Sequence, residues 1–266
     1  MMQRQEEINA HWSEGADNYN AIIEDEMNSF RTDAWKKQIL DHAPPKGVLK
    51  ILDCGCGPGF FSILMAQEGH LVTAVDGSER MLGYARARAE AYHVKVDFRK
   101  MDCHELEFPD ETFDLIISRN LTHTLRAHRQ VYREWNRVLK KGGILQIYDA
   151  NWHHMLPGGR EYEESGRRWR ECMIRYGSDY NGNIYDGTES SLQMQEKEDA
   201  ETSVWNHALH DYIRPDWDIG MLLGTGYENV FTDRDVTGHL WDDKEKLLYG
   251  NTPMFMIYAG KVCDPL

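Results

Sequence analysis

The feature that most constrains the fold of this chain is a glycine-rich turn at residues 51–60, which reads ILDCGCGPGF. It follows an apolar run at residues 48–54 that predicts a buried strand, and it opens a helix predicted over residues 60–68. Glycine allows a tight turn and lets the backbone approach a ligand closely. Because ligands lie at the carboxyl ends of parallel strands, the turn predicts a ligand site in an α/β fold.

The spacing of the glycines discriminates between ligands. Gly55, Gly57 and Gly59 form G-x-G-x-G, whereas a dinucleotide turn requires a glycine where this chain has Phe60. No Gly-Lys-Ser/Thr follows, so a phosphate-binding P-loop is excluded. Asp53 precedes the first glycine, and its carboxylate repels a pyrophosphate but attracts a ligand that carries an ammonium and a sulfonium. These observations favour S-adenosylmethionine (SAM) over a nicotinamide dinucleotide.

Strands and helices alternate from the glycine turn to about residue 150. Further strands are predicted at residues 71–75, 96–101, 113–118 and 144–148, and further helices at residues 78–92 and 127–139. This alternation is typical of a parallel sheet that is covered on both faces. Two last strands, at residues 230–236 and 254–262, are joined by a polar connection and are expected to form an antiparallel edge pair. The predicted fold class is therefore α/β.

The motifs of residues 48–150, taken in order, resemble those of the class I SAM-dependent methyltransferases, and within them the small-molecule group that includes quinone-biosynthesis enzymes. The segments that carry the resemblance are residues 53–59, 71–76, 77–82, 101–103, 108–118 and 137–143. One departure is Lys141, where the familiar helix-to-strand turn carries proline. The resemblance implies a Rossmann-like fold with a seven-stranded, mostly parallel sheet, an antiparallel last strand and helices on both faces.

The resemblance also implies SAM as the cofactor and assigns contacts to it. Asp76, about twenty residues beyond the glycine turn, is expected to bind the ribose hydroxyls. Met81 is expected near the adenine, Asp102 is expected to accept from its exocyclic amine, and Tyr19 is expected to close over the ligand from an N-terminal helix. The predicted cofactor-binding residues are Tyr19, Asp53, Gly55, Cys56, Gly57, Gly59, Asp76, Gly77, Met81, Asp102, Cys103 and Asn120.

Two loops at the same edge of the sheet supply candidates for the methyl acceptor. The loop after the fourth strand carries Asn120, which is expected to hold the SAM tail, and His123, a candidate catalytic base because histidine titrates near neutral pH. The loop after the fifth strand carries His153 and His154 as candidate substrate contacts. Arg214 is a further substrate candidate because a guanidinium pairs well with an acceptor carboxylate.

No metal site is predicted. His153 and His154 are adjacent, and neighbours on an extended chain point in opposite directions. Cys54 and Cys56 form only a C-x-C, without the second pair of ligands that a zinc site needs. The five cysteines are an odd number without framework spacing, which indicates reduced thiols and a cytoplasmic protein.

The charge of the chain bears on its partners. The formal net charge is −14, and so acidic a surface repels the phosphates of nucleic acids and of anionic lipids. No apolar run is long enough to predict a membrane span. We therefore expect a small-molecule acceptor, with neither nucleic acid nor membrane as a partner, while the sequence leaves monomer and homodimer open.

Four regions follow from these patterns. Residues 1–46 are predicted to form a helical lid, residues 47–150 the SAM-binding core, residues 151–212 an inserted cap over the acceptor site, and residues 213–266 the end of the core sheet. The function expected from the resemblance is SAM-dependent methyl transfer to an O, N, S or C atom of a small molecule. The alternative is a non-catalytic SAM sensor or partner-binding module.

Overall fold

The computed structural model describes residues 2–155, 158–180, 183–184, 187 and 212–262. Most of the predicted cap beyond residue 180 lies outside the described residues, and so do Trp205, His207, His210 and Cys263. The glycine turn and all the residues predicted to bind cofactor or acceptor lie within them.

A single seven-stranded sheet forms the centre of the molecule, in the order β3-β2-β1-β4-β5-β7-β6. The strands from β1 to β5 pair in parallel, and β7 runs antiparallel to both β5 and β6. The strands are β1 (Lys50–Cys54), β2 (Leu71–Asp76), β3 (Val96–Lys100), β4 (Phe113–Arg119), β5 (Leu139–Asp149), β6 (Tyr227–Asp233) and β7 (Phe255–Lys261). The predicted mostly parallel sheet with an antiparallel last strand is confirmed.

Helices cover both faces of the sheet. They are α1 (Met2–Glu14), α2 (Ala16–Met27), α3 (Arg31–Leu40), α4 (Phe60–Gln67), α5 (Glu79–Ala91), α6 (His128–Val138), α7 (Tyr162–Tyr176), α8 (Asp216–Leu223), α9 (Thr237–Leu240) and α10 (Asp243–Tyr249). Within the described ranges, none of them combines the length and the apolar run that crossing a bilayer requires.

Successive side chains along each strand lie on opposite faces of the sheet. Ile51 joins a cluster with α3 and α4, whereas its neighbour Leu52 joins a cluster with α6. The same division separates Ile117 from Ile116 on β4. Two apolar layers therefore hold the central strands, and the carboxyl ends of those strands stay available for a site.

The order of the strands places that site. The chain runs outward from β1 through β2 to β3, and then returns to place β4 on the other side of β1. This reversal opens a crevice between the loops after β1 and β4, which is where ligands bind in open α/β sheets. The glycine turn follows β1, and the loop with Asn120 and His123 follows β4.

Some predicted boundaries differ from the structure. β6 spans Tyr227–Asp233 rather than residues 230–236. β5 begins at Leu139 rather than at residue 144, because Leu139 already pairs with Phe113 across the sheet. The polar connection before β7 contains two short helices, α9 and α10. A capping box begins α10, in which Asp242 and Glu245 each accept a hydrogen bond from the other's backbone N–H.

Candidate cofactor and acceptor site

The glycine turn is fixed to β2 by its backbone. The N–H groups of Gly55 and Cys56 both donate to the carbonyl oxygen of Val75, at 2.9 and 3.0 Å. Gly59 has a φ of +88°, and a Cβ there would lie 3.0 Å from that of Ala85. Gly59 therefore allows close packing of α4 against α5 rather than contact with a ligand.

A cavity opens beside the turn and is called the cofactor cavity. It is lined by Gln5, Ile8, Asn9, Trp12, Tyr19, Gly55, Gly57, Val75, Asp76, Gly77, Ser78, Met81, Met101, Asp102, Cys103, His104, Arg119, Asn120, Leu121, Thr124 and Leu125. Nine of the twelve predicted cofactor residues line it. The other three, Asp53, Cys56 and Gly59, are not part of this wall.

Asp76 joins the glycine turn to the start of α5. Its two carboxylate oxygens accept hydrogen bonds from the backbone N–H of Gly57, at 2.9 Å, and of Ser78, at 2.8 Å. Burial raises the pKa of Asp76, although these two N–H groups oppose the shift. Ser78 in turn caps α5 by accepting from the N–H of Met81. The carboxylate thus lies at the cavity wall in a fixed position.

Asp53 lies behind the turn. Its carboxyl accepts a 2.5 Å hydrogen bond from the hydroxyl of Ser62, and only 2% of its surface is exposed. It faces a smaller cavity that also contains Cys56 and Arg119. Burial raises the pKa of Asp53 to about 7 in spite of Ser62 and Arg119.

The sequence reasoning missed His104 at the far end of the cofactor cavity. Its Nδ1 lies 2.6 Å from a carboxylate oxygen of Asp102, and its backbone N–H donates to the same oxygen at 2.9 Å. Burial acts to raise the pKa of Asp102, but His104 and Arg126 outweigh it and hold that pKa below its usual value. Nε2 of His104 is buried and has no hydrogen-bond partner among the described residues.

Asp102, Cys103 and His104 place three potential metal-ligand atoms within 4.8 Å of one another. Burial raises the pKa of the Cys103 thiol, and a protonated thiol is a poor ligand. Each carboxylate oxygen of Asp102 already has a hydrogen-bond partner, His104 for one oxygen and Arg126 for the other. The absence of a metal stays a prediction, and the cluster is best described as part of the cofactor wall.

Helix α1 lies over the cofactor cavity. Trp12 belongs to its wall, and Gln5 accepts a 2.7 Å hydrogen bond from Nε of Arg126. Further along α1, the hydroxyls of Ser13 and Ser78 lie 2.8 Å apart. These contacts join the N-terminal helix to the loop that precedes α6 and to the start of α5.

A second cavity of about 270 Å³ adjoins the first and is called the aromatic cavity. Its wall consists of Trp12, Tyr19, Ile22, Glu26, Arg119, Asn120, His123, Trp152, Tyr180, Trp241, Glu245, Tyr249 and Met254. The two cavities share Trp12, Tyr19, Arg119 and Asn120. These four side chains therefore face both cavities.

Asn120 lies at this junction in an unusual conformation. Its φ is +52°, which is uncommon for a residue other than glycine, and its N–H donates to the carbonyl oxygen of Tyr148 at 2.9 Å. Its side-chain oxygen is buried without a hydrogen-bond partner among the described residues. A strained residue with an unused acceptor at a cavity wall is the pattern expected of a ligand contact.

His123 is paired with a buried carboxylate. Nδ1 of His123 lies 2.9 Å from Asp149, whose other oxygen accepts from the His123 backbone N–H at 2.8 Å and from the Thr122 hydroxyl at 2.6 Å. Burial acts to raise the pKa of Asp149, but His123, Arg214 and Thr122 hold it far below its usual range. Because an ionised carboxylate only accepts, Nδ1 carries the proton, and Nε2 is the ring nitrogen that can accept one.

The three predicted substrate residues lie outside both cavity walls. Arg214 is fully buried, with its guanidinium 2.8 Å from Asp218 and 3.2 Å from Asp149. His153 and His154 are buried in the turn after β5, with ring centroids 4.2 Å apart. The Arg214 guanidinium donates to Asp149 and to the Thr122 hydroxyl and lines neither cavity, so this geometry does not favour direct substrate contact.

The family model that this chain matches and two of its curated relatives are all described as methyltransferases. Residues 51–143 match the family described as "Methyltransferase domain". "Putative methyltransferase YqeM" of Bacillus subtilis (strain 168) is 32% identical over 197 residues, which are 73% of this chain and 74% of that protein. Demethylmenaquinone methyltransferase of Listeria welshimeri is 33% identical over 151 residues, or 54% of this chain and 61% of that protein.

Solved structures agree on the fold. Phosphoethanolamine N-methyltransferase 2 of Haemonchus contortus, crystallised with SAM, has a TM-score of 0.57 at 18% identity, over 86% of this chain and 52% of that one. The matches to other curated relatives span about half of those proteins, 53% of one and 43% of another. The YqeM match, the matched domain and the glycine-turn cavity agree: the chain belongs to the class I SAM-dependent methyltransferases, and its cofactor is S-adenosylmethionine.

Proposed function

We propose that this protein transfers the methyl group of SAM to a small molecule that is held in the aromatic cavity. The observation that carries the proposal is the junction of the two cavities at Tyr19, Arg119 and Asn120. One cavity has nine of the predicted cofactor residues in its wall, and the other has His123, which is paired with Asp149. Donor and acceptor placed in them are brought together at one point, which is the main requirement of a displacement reaction.

Bound SAM supplies a methyl group that is already activated by its positive sulfur. The carboxylate of Asp76 is placed to accept from the ribose hydroxyls, and the unused oxygen of Asn120 is placed to accept from the ammonium of the methionine tail. At the adenine end, we assign to Nε2 of His104 a hydrogen bond from the exocyclic amine. Asp102 then acts through His104, whose Nδ1 lies 2.6 Å from its carboxylate.

His123 is the proposed catalytic base. Asp149 fixes the ring orientation and keeps the proton on Nδ1, so that Nε2 can take a proton from the acceptor. Arg214 and Thr122 are positioning residues, because they hold Asp149 rather than touch the acceptor. This role replaces the substrate contact predicted for Arg214.

The N-terminal helices fit the proposed role of residues 1–46 as a lid. Trp12 and Tyr19 contribute to both cavities from α1 and α2, with their ring centroids 5.9 Å apart. Closure by these rings excludes water from the point of transfer. For residues 151–212, Trp152 and Tyr180 in the wall support the proposed role as a cap over the acceptor.

Methyl-deuterated SAM, incubated with the protein and a metabolite extract from its source, tests the proposal. Mass spectrometry should find a product that carries the label and that is absent when Asp76→Ala replaces the wild type. Such a product also identifies the acceptor. If SAM binds but no label is transferred from any extract, the non-catalytic sensor is the better account.

A further inference from the structure

We propose that the acceptor is an amine with an apolar body, bound in the aromatic cavity as its ammonium cation and methylated on nitrogen. This inference rests on the proposed function and names the substrate class of the same site. It is carried by the wall of the aromatic cavity, whose rings and charges together fit a cation better than a neutral or anionic group.

The first observation is a group of three rings on one side of the cavity. The centroids of Trp152 and Tyr249 lie 5.5 Å apart, those of Trp241 and Tyr249 lie 6.0 Å apart, and those of Trp152 and Trp241 lie 6.4 Å apart. The negative face of an indole or phenol ring attracts a cation, with tryptophan the strongest. The same rings cover the apolar body of a ligand.

The second observation is an excess of negative charge. Apart from the imidazole, the charged side chains in the described wall are Glu26, Glu245 and Arg119. Arg119 is neutralised by Glu26 through two hydrogen bonds of 2.9 and 2.6 Å. Glu245 pairs at 2.9 Å with Arg31, which lies outside the wall and also pairs with Asp25. The described part of the wall therefore has more carboxylates than cations.

Burial of Glu26 and Glu245 makes this excess of negative charge unfavourable in free energy. Glu26 and Glu245 are exposed over only 5% and 7% of their surfaces. Burial and the neighbouring charge of Glu26 raise the pKa of Glu245 to about 7, against the opposing effect of Arg31. A cation in the cavity would relieve both effects, because it supplies the opposite charge within the same low-dielectric space.

Acceptors of other charge fit less well. A carboxylate, phosphate or phenolate would lie beside Glu26 and Glu245, and the guanidinium that could pair with it, that of Arg119, is already paired. No lysine belongs to the wall as far as the structure describes it. A neutral alcohol would leave the excess charge uncompensated.

The step balances with the groups in place. The ammonium gives a proton to Nε2 of His123, which leaves a neutral amine with a free electron pair. This pair forms the N–C bond as the S–CH3 bond breaks, and the electrons of that bond stay on sulfur. The positive charge passes from sulfur to nitrogen, so the products are a methylated ammonium and a neutral thioether.

Binding of three matched probes tests the charge preference. They are 2-phenylethylamine, 2-phenylethanol and 3-phenylpropanoate, each titrated into the protein saturated with S-adenosylhomocysteine, with tryptophan fluorescence as the readout. We expect the ammonium to bind at least about tenfold more tightly than the alcohol, and the carboxylate to bind most weakly. Equal or tighter binding of the alcohol or carboxylate, or no binding of the ammonium, overturns the proposal.

Two variants separate charge from shape. Glu245→Gln keeps the size of the side chain and should reduce the preference for the ammonium over the alcohol by about tenfold, while Glu228→Gln on exposed β6 should not change it. If Glu245→Gln does not fold, Trp152→Leu removes a ring without changing charge and should reduce the same ratio. An unchanged ratio in the folded variant contradicts the proposal.

Methyl transfer distinguishes failure of this inference from failure of the proposed function. Labelled methyl found only on alcohols, thiols or acids would retain the methyltransferase and overturn the amine. Tight ammonium binding without transfer of label to any acceptor would retain the cation site and overturn the proposed function. Label on an amine nitrogen supports both.

Discussion

Asp149 holds His123 through two hydrogen bonds, one to Nδ1 at 2.9 Å and one to the backbone N–H at 2.8 Å. His123 lies in the turn after β4 and Asp149 is the last residue of β5, so the sheet itself sets their relative position. Because Asp149 holds both the backbone and the ring of His123, the ring loses little conformational freedom when an acceptor binds. This rigidity suits a base that must meet a proton in one orientation.

Replacing His123 by Gln should lower the rate of methyl transfer by about 100-fold or more, because the base is lost while the volume is nearly kept. SAM affinity should remain within about threefold, since His123 lies in the aromatic cavity and not in the cofactor wall. Single-turnover rates and SAM titrations separate the two quantities. A variant that keeps the wild-type rate would remove His123 from the mechanism.

Replacing His104 by Ala should remove the preference for adenine. The protein should bind S-adenosylhomocysteine at least about tenfold more tightly than S-inosylhomocysteine, in which an oxo group replaces the exocyclic amine. His104→Ala should bind the two ligands with nearly equal affinity, and calorimetry measures both. If the variant discriminates as well as the wild type does, the contact is made by another group.

Asp114 should contribute stability that depends on pH. Its carboxylate accepts from Lys46 at 2.7 Å, Lys140 at 2.9 Å and the N–H of Lys50 at 2.9 Å. Burial opposes ionisation, but these donors lower the pKa of Asp114 to about 2. A carboxyl whose folded pKa is depressed stabilises the fold above its unfolded pKa, and this contribution is lost as the pH falls through the folded pKa.

Asp114→Asn should therefore lower the free energy of unfolding by about 2 kcal/mol at pH 7. The difference from the wild type should shrink as the pH falls from about 4 to about 2. Urea unfolding at several pH values measures it. A difference that stays constant across this range would show that packing, not ionisation, is responsible.

The parts of the site that could be predicted from the sequence consist of residues that lie close together along the chain. The glycine turn and Asp76 lie within one strand–helix–strand unit, so their spacing determines their geometry. The order of the motifs was enough to predict the sheet, and the structure confirms it. His104 carried a weak signal, because it lies two residues beyond the predicted Asp102.

The parts that the sequence did not predict join distant segments. Glu26 and Arg119 are 93 residues apart, and Trp241 and Glu245 come from a connection that looked only polar. Arg214 was expected at the acceptor, but its guanidinium is used by Asp149 and Asp218 inside the fold. A single sequence does not show which distant charges become neighbours, because that depends on the packing of the whole chain.

Titration of SAM into the wild type and into Asp76→Ala tests the central claim most directly. Asp97→Ala, an exposed change on neighbouring β3, is the control, and thermal unfolding confirms that each variant is folded. We predict that the wild type and the control bind SAM alike, and that Asp76→Ala binds it about 100-fold more weakly because the proposed hydrogen bonds from the ribose hydroxyls to the carboxylate are lost. A folded wild type that does not bind SAM, or a folded Asp76→Ala with unchanged affinity, would contradict the account.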